Sequence, residues 1–531
     1  MNARRGMTGE RVGGALALAF ILGFVALALA PLLRFGGAGG FDPQLAGVLQ
    51  FTLWQAALST LLSVFFGGLV ALSVARRPGL AGRVWLLRFM AAPMGLPALA
   101  AAFGVLAVWG REGLLNSVLS FLGIATKFDV FGLTGILIAH TFFNIPLAAR
   151  LFTAALDRFP RTYWKLAANL GLGRISLFRF VEGPALMAAL PGAAGLIFML
   201  CATSFTLVLT LGGGPAATTL EVAIYQALKF DFEPGRAVFL VLVQVVLTGL
   251  VLLFLATFPT PAEERALQGV TVRRFDGGSL ASKLWDSAVI LVFLIFCGAP
   301  FLAILVDGLR ADFPHLLADR LFWRALATSV GLGLSAALLA LLLSWLIAMA
   351  RVSTRSLLFA GGLDAGGSLI LLTPPIVLST GWFLWLKGGS GFAPYLLVGI
   401  INALMALPFS LRVLQPAVRS HIERTRRLSQ SLGLAGLQRL RIIDVPALAR
   451  PVLMAFFFAF SLSLGDLGAV ALFGGDGFVT LPWLIYARLG SYRTTDAAAL
   501  TLILAVVCMV FAVLGTPSER RQGRWRDEAG H

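Results

Sequence analysis

Only one acidic side chain sits plainly inside a long apolar run: Asp466, in SLSLGDLGAVALF. A carboxylate at membrane depth is costly unless paired, which makes it a functional candidate by default. The plainer reading is that Asp466 accepts backbone hydrogen bonds at a helix end broken by Gly465. Other chemistries lack their residue sets. His140, His315, His421 and His531 are scattered without an HExxH, and Cys201, Cys297 and Cys508 show no CxxC. The cysteines read as inert core thiols and His140 as a packing group. No GxxxxGK[ST] occurs, and LGGGPAATT (211–219) lacks the following Gly-Lys, so it reads as a turn. No loop clusters His, Asp, Glu and Ser as a catalytic or metal site would require. Nucleotide, if it drives this chain, must be bound by another protein.

The remaining candidates are polar segments in an apolar chain. LAANLGLGRISLFRFVEGPAL (166–186) carries Arg174, Arg179 and Glu182, is broken by Gly171 and Gly173, and reaches Pro184. It is too polar to cross a bilayer. Shifting the sequence by 262 brings it onto LSQSLGLAGLQRLRIIDVPAL (428–448), which superposes Gly171 on Gly433, Arg179 on Arg441 and Pro184 on Pro446. Arg179/Glu182 and Arg441/Asp444 are i,i+3 pairs that can share a helix face. A Gly can end one short helix and redirect the chain, and a Pro thirteen residues later suits the first turn of a following span. Each segment therefore reads as two short helices joined rigidly to a span.

The elements that must hold these segments follow from composition. Of 531 residues, 58% are hydrophobic and 13% charged, with 58 glycines and mean hydropathy +0.89. Lipid requires helices there, about 20 apolar residues per crossing. Twelve spans are expected, roughly 12–33, 47–75, 87–109, 131–156, 187–211, 237–258, 285–307, 322–350, 368–386, 393–416, 449–474 and 496–516. The fold class is thus all-α and polytopic, in two tandem six-helix halves. The first run follows Arg4, Arg5 and Arg11 and reads as a retained span rather than a cleaved signal. With the N-terminus inside, 31 of the 42 Lys and Arg fall in cytoplasmic segments, which sets the orientation with both termini cytoplasmic. The net charge of +17 then belongs to a face that meets anionic lipid and needs no nucleic acid as partner. Both copies of the polar segment lie on that face, related by an axis along the membrane normal. The expected domains are 1–46 (tail and first span), 47–258 (first core), 259–321 (linker, seventh span and periplasmic loop), 322–516 (second core) and 517–531 (tail).

These residues resemble a family. A cytoplasmic segment with Gly and Pro thirteen apart resembles the EAA loop of type I ABC-importer permeases. LIFMLCATSFTLVLTLGGGPAATTLEVAIYQAL (196–228), AHTFFNIPLAARL (139–151) and FRFVEGPAL (178–186) are similar to the fused permeases of bacterial thiamine ABC importers. The resemblance implies two permease cores, each with a coupling helix that docks on a separate ATPase. The residues it assigns to those loops are Lys165, Ala167, Ala168, Gly171, Arg179, Glu182 and Pro184, and Arg427, Ser429, Gly433, Arg441, Asp444 and Pro446. Lys165 and Arg427 stand where the family pattern has Glu. It further implies two copies of the ATPase carrying ATP and Mg2+, a periplasmic binding protein, and a bacterial inner membrane. This chain would be non-catalytic, binding no cofactor or metal. A thiamine-like solute is an aromatic cation, for which Asp466, Tyr225 and Trp109 are candidate path residues, with Trp382 and Trp385 as further aromatics. The same resemblance leaves open phosphate esters of thiamine and the iron(III) permeases of the superfamily. A secondary transporter would need an intramembrane chain of ionisable groups, of which Asp466 and His140 are the visible members.

Overall fold

A computed structural model describes residues 2–35, 43–124, 127–158, 161–258, 278–386, 393–434, 436–475, 477–491 and 493–514. Most of the expected linker and the tail 517–531 lie outside the described residues, as does the side chain of Arg427. The described residues contain no strand and eleven helices long and apolar enough to cross a membrane. Leu357–Leu371 and Pro375–Trp385 together make a twelfth, bent by 85°. Each expected span overlaps one of these, the third with an offset, since its apolar helix runs Ala98–Phe121 where 87–109 was expected.

Where the helices depart from single rods, proline and glycine explain it. The third expected span breaks into Arg83–Phe89, a short 3-10 turn at Pro93–Gly95, and Ala98–Trp109. Pro97 precedes the last piece, as Pro374 precedes Pro375–Trp385 in the bent pair. Proline lacks the N–H that would continue the ladder and pushes the residue before it out of the α region. The fifth and eleventh expected spans also end early. Gly183–Ala202 stops before a short helix at Thr206–Leu211, and Val445–Leu464 stops before Gly468–Phe473. The first of these runs is continuous in hydropathy, whereas Gly465 and Asp466 mark the break in the second.

The chain forms two compact units. One comprises Gly37–Phe313 and Ile485–Leu502; the other comprises Met1–Gly36, Pro314–Leu484 and Ile503–His531. Within the first, Pro43–Arg76 packs along Leu133–Asp157 and Gly183–Ala202 through Ala56, Ala71, Leu147, Leu151, Ala193 and Ile197. The seventh span, Leu280–Leu309, joins this unit: Ile290, Phe293 and Cys297 pack with Val70, Val74 and Ile145. It also lies against Ala98–Trp109, where a Cβ on Gly104 would come 2.9 Å from the Cβ and carbonyl of Pro300. Within the second unit, Arg320–Ser353 packs on Ala393–Ser431 and Val445–Leu464. The first span packs there too, with Ala17, Ile21 and Phe24 in a core with Leu343, Ile347 and Leu378. Each unit therefore takes in a leading span from the other half of the sequence.

Candidate functional site

From the helix end at Asn169 or Ser431 onward the two duplicated segments take the same backbone path, each boundary shifted by 262. In the first, the helix Arg161–Asn169 ends in a left-handed residue, Gly171, with φ 60°. Leu172 N–H donates to Ala167 O at 3.1 Å and Gly171 N–H to Ala168 O at 3.1 Å, which together close the last turn as a Schellman cap. In the second, Gly433 has φ 65° and Leu434 N–H donates to Ser429 O at 3.0 Å. A Cβ at either glycine would meet nothing, so backbone conformation alone demands the residue.

Beyond each turn comes one helical turn, Arg174–Leu177 or Gly436–Arg439, and then five residues of π-helix, Phe178–Glu182 or Leu440–Asp444. Gly183 N–H reaches back to Phe178 O, and Val445 N–H to Leu440 O. The next residue is Pro184 or Pro446, in the first turn of the span. A proline there removes one donor from the ladder, and a single wide turn accommodates the gap. The stretch after each glycine is thus continuous with its span, and a separate second short helix is absent. In the second copy the first short helix is absent too. There the segment is the end of Ala393–Ser431, a helix of 39 residues. The first copy has Pro160 where the second has Ile422, and its preceding helix ends at Asp157.

The i,i+3 ion pairs expected from the sequence do not form. Glu182 and Asp444 close the π-turns at 1% and 2% exposure, while Arg179 and Arg441 stay exposed. The wider turn carries position i+3 away from the face it would share in an α-helix. Arg179 lies over the Phe180 ring instead, 5.6 Å from its centroid. Glu182 pairs with Arg76, at the end of the second span, with Nε and Oε1 3.9 Å apart. Asp444 lies 2.8 Å from His421 Nε2 and 3.4 Å from Arg439 Nε.

The first segment has a small core of its own, in which Trp164 and Ala167 pack on Leu177 and Val181. Its other side is apolar and open: Tyr163, Leu166, Leu170 and Phe180 are exposed, and Ile175 is 85% exposed. Lys165, Ala168 and Pro184 lie on the open side as well. The second segment repeats the arrangement, burying Ser429 at the position of Ala167 and exposing Leu428, Leu432, Ile442 and Pro446. A rigid, open apolar ridge flanked by basic groups suits a groove on a protein partner.

Each candidate at membrane depth has its own local partners. Asp466 sits in the break after Leu464, where Oδ1 accepts from Gly468 N–H at 3.1 Å and Oδ2 from Ala469 N–H at 3.0 Å. That is helix capping. Tyr225 is buried between Phe205 and Phe230, with ring centroids 5.6 and 5.7 Å away. Trp109 packs on Phe296, Trp382 on Phe24, and Trp385 donates to Leu27 O at 2.7 Å. His140 Nδ1 lies 3.0 Å from Ser59 Oγ. No cluster of three or more His, Cys, Asp or Glu that could hold a metal occurs among the described residues.

Asp466 is not alone among acidic residues in the apolar core. Glu221, at 0% exposure, accepts from Gln244 Nε2 at 3.3 Å. Asp286, also at 0% exposure, is bound by Arg76 and Arg77. Glu221 follows a Gly-Pro turn and Asp286 opens a span, so hydropathy alone placed both at the edges of apolar runs.

With this geometry in hand, comparison with known proteins is direct. Residues 63–260 match the family described as the binding-protein-dependent transport system inner membrane component. The thiamine transport system permease protein of Brucella abortus is 48% identical over 512 residues, covering 95% of this chain and 94% of its own length. Its counterpart in Escherichia coli is 43% identical over 491 residues, covering 91% of this chain and 90% of its own. The Haemophilus influenzae protein is 38% identical over 520 residues and 95% of each chain.

Proposed function

The chain belongs to the family of thiamine transport system permeases, and from that premise we propose how its parts share the work of import. It is the non-catalytic, multi-pass permease of the inner membrane, and it carries thiamine across. Thiamine phosphates enter our reading as further solutes of the same path. ATP and Mg2+ are bound by a separate ATPase present in two copies, one gripping each duplicated segment. A periplasmic binding protein delivers the solute to the opposite face, and both termini lie in the cytoplasm. The regions 47–258 and 322–516 act as the two permease cores.

One observation carries this reading: the same backbone device occurs twice, 262 residues apart. Each copy has a left-handed glycine, a π-turn closed by a buried carboxylate, and a proline opening the span. Such a segment is stiff, and a push on its exposed ridge reaches the span without being absorbed in a loop. We take Lys165, Ala167, Ala168, Gly171, Arg179, Glu182 and Pro184, with Arg427, Ser429, Gly433, Arg441, Asp444 and Pro446, as the coupling residues. For the solute path we propose Asp466, Trp109 and Tyr225; the first two are part-exposed and Tyr225 is buried. The test is uptake of labelled thiamine into cells carrying this chain with the ATPase and binding protein, against cells lacking either. Uptake should require both partners; uptake driven by a proton gradient without the ATPase overturns the reading.

A further inference from the structure

The first coupling segment is tied to the seventh span by a buried ionic cluster. Asp286 lies near the start of that span, and both of its oxygens are engaged. Arg76 Nη1 is 3.1 Å from Oδ1, and Arg77 Nη2 is 2.9 Å from Oδ2. Ser282, one turn earlier, accepts from Arg77 Nη2 at 3.3 Å and from Arg174 Nη2 at 3.2 Å, and donates to Asp286 Oδ2 at 3.4 Å. Arg76 also faces Glu182. Both ends of the stretch Arg174–Glu182 are therefore fastened to the same post, one through Ser282 and the other through Arg76. Exposure of the four charged side chains at the centre is 10% for Arg76, 17% for Arg77, 2% for Glu182 and 0% for Asp286. Two arginines balance two carboxylates. Removing one member leaves an uncompensated buried charge, which resists parting of the elements they join.

The other unit builds its equivalent contact differently. There Glu10, on the first span, accepts from Ser353 Oγ at the end of Arg320–Ser353, and Arg11 Nη2 donates to Ser353 O at 2.8 Å. Asp444 pairs with His421 and Arg439, on its own segment and the helix leading into it. The carboxylate of the leading span thus recurs, but the arginine pair and the link onward to the π-turn belong to Asp286.

We propose that Asp286 is a positioning residue for transport, clamping the seventh span, the end of the second span and the first coupling segment into one body. Motion imposed on Arg174–Glu182 is then delivered to the seventh span directly. This rests on the coupling reading above. The first test leaves Asp286 in place: spin labels at Phe178→Cys and Leu284→Cys, both exposed positions outside the docking ridge, in the complex with its ATPase in a bilayer. The distance between the labels stays the same in nucleotide-free and ATP-trapped states; a change of mean distance between those states overturns the clamp. The second test is Asp286→Asn, for which thiamine taken up per ATP hydrolysed falls about tenfold or more. An unchanged ratio overturns the proposal, and if the variant is lost from the membrane the label distance decides alone. ATP-dependent uptake by the parent chain in the same membranes checks the coupling reading separately, since its absence would condemn that reading whatever Asp286 does.

Discussion

Replacing Gly171 and Gly433 by valine puts the coupling reading at most risk. Their φ values of 60° and 65° fall where an L side chain with Cβ is strained, by about 1–2 kcal/mol per residue. A branched Cβ lies at the costly end. Since a Cβ meets no neighbour at either position, no packing is lost and the penalty is confined to the turn. Strain of that size shifts the turn between conformations by about five- to thirty-fold, because 1.4 kcal/mol is a factor of about ten. The global fold rests on the packed spans, so the variant still inserts. The assay is uptake of labelled thiamine beside immunoblot quantification of the membrane-inserted chain. We expect Gly171→Val with Gly433→Val to abolish most uptake at normal abundance. Asparagine, which tolerates the left-handed region, should retain uptake at both positions. Normal uptake by the double valine variant refutes the argument. So does asparagine failing as badly as valine, since the cause would then be a clash with the partner's groove and not the backbone.

Ile175→Glu places a charge on the exposed ridge, and co-purification of the ATPase should fall about tenfold with insertion unaffected; an unchanged yield of complex counts against this docking face. Asp444→Asn strips the charge that His421 and Arg439 surround, and should cost about 3 kcal/mol, seen as a lower melting midpoint in detergent. Asp466→Asn keeps one acceptor for the two amides it caps, so stability should drop by about 1 kcal/mol, and the KM for thiamine should rise because the cation loses a carboxylate on its path; an unchanged KM would leave this side chain a helix cap alone. Glu221→Gln should leave the melting midpoint unchanged or raised, because it removes a buried carboxyl held by the amide of Gln244.

Hydropathy made the span count legible, because a crossing needs length and little else. The breaks were less visible. Pro97 and Pro374 fall inside runs that read as single spans, 87–109 and 368–386, and nothing in LIFMLCATSFTLVLTL distinguishes a stop at Ala202 from a span that continues to Leu211. At the coupling segments, Gly171 and Pro184 were informative because each acts through its own backbone, and the repeat exposed them. The partners of Glu182 and Asp444 were not legible. An i,i+3 spacing implies a shared face only if the helix is an α-helix, and here each carboxylate ends a π-turn. Asp286 was hidden for another reason: its meaning lies in Arg76 and Arg77, more than 200 positions earlier.

The duplication separates what the backbone requires from what each neighbourhood requires. Gly171 and Gly433, the two π-turns, and Pro184 and Pro446 agree in position and geometry, so these features define the lever itself. The carboxylate at the end of each π-turn also agrees, yet its cation differs: Arg76 from another span in one unit, His421 and Arg439 from the same stretch in the other. A carboxylate there must be neutralised once buried, and any nearby cation will serve. What the choice of cation changes is where force goes. On the clamp proposed above, force through Arg76 passes to Asp286 and the seventh span, whereas through His421 it stays in the helix that leads into the segment. Two levers of the same shape can therefore drive different loads, and the two ATPase copies proposed above would then meet unequal responses from one duplicated chain.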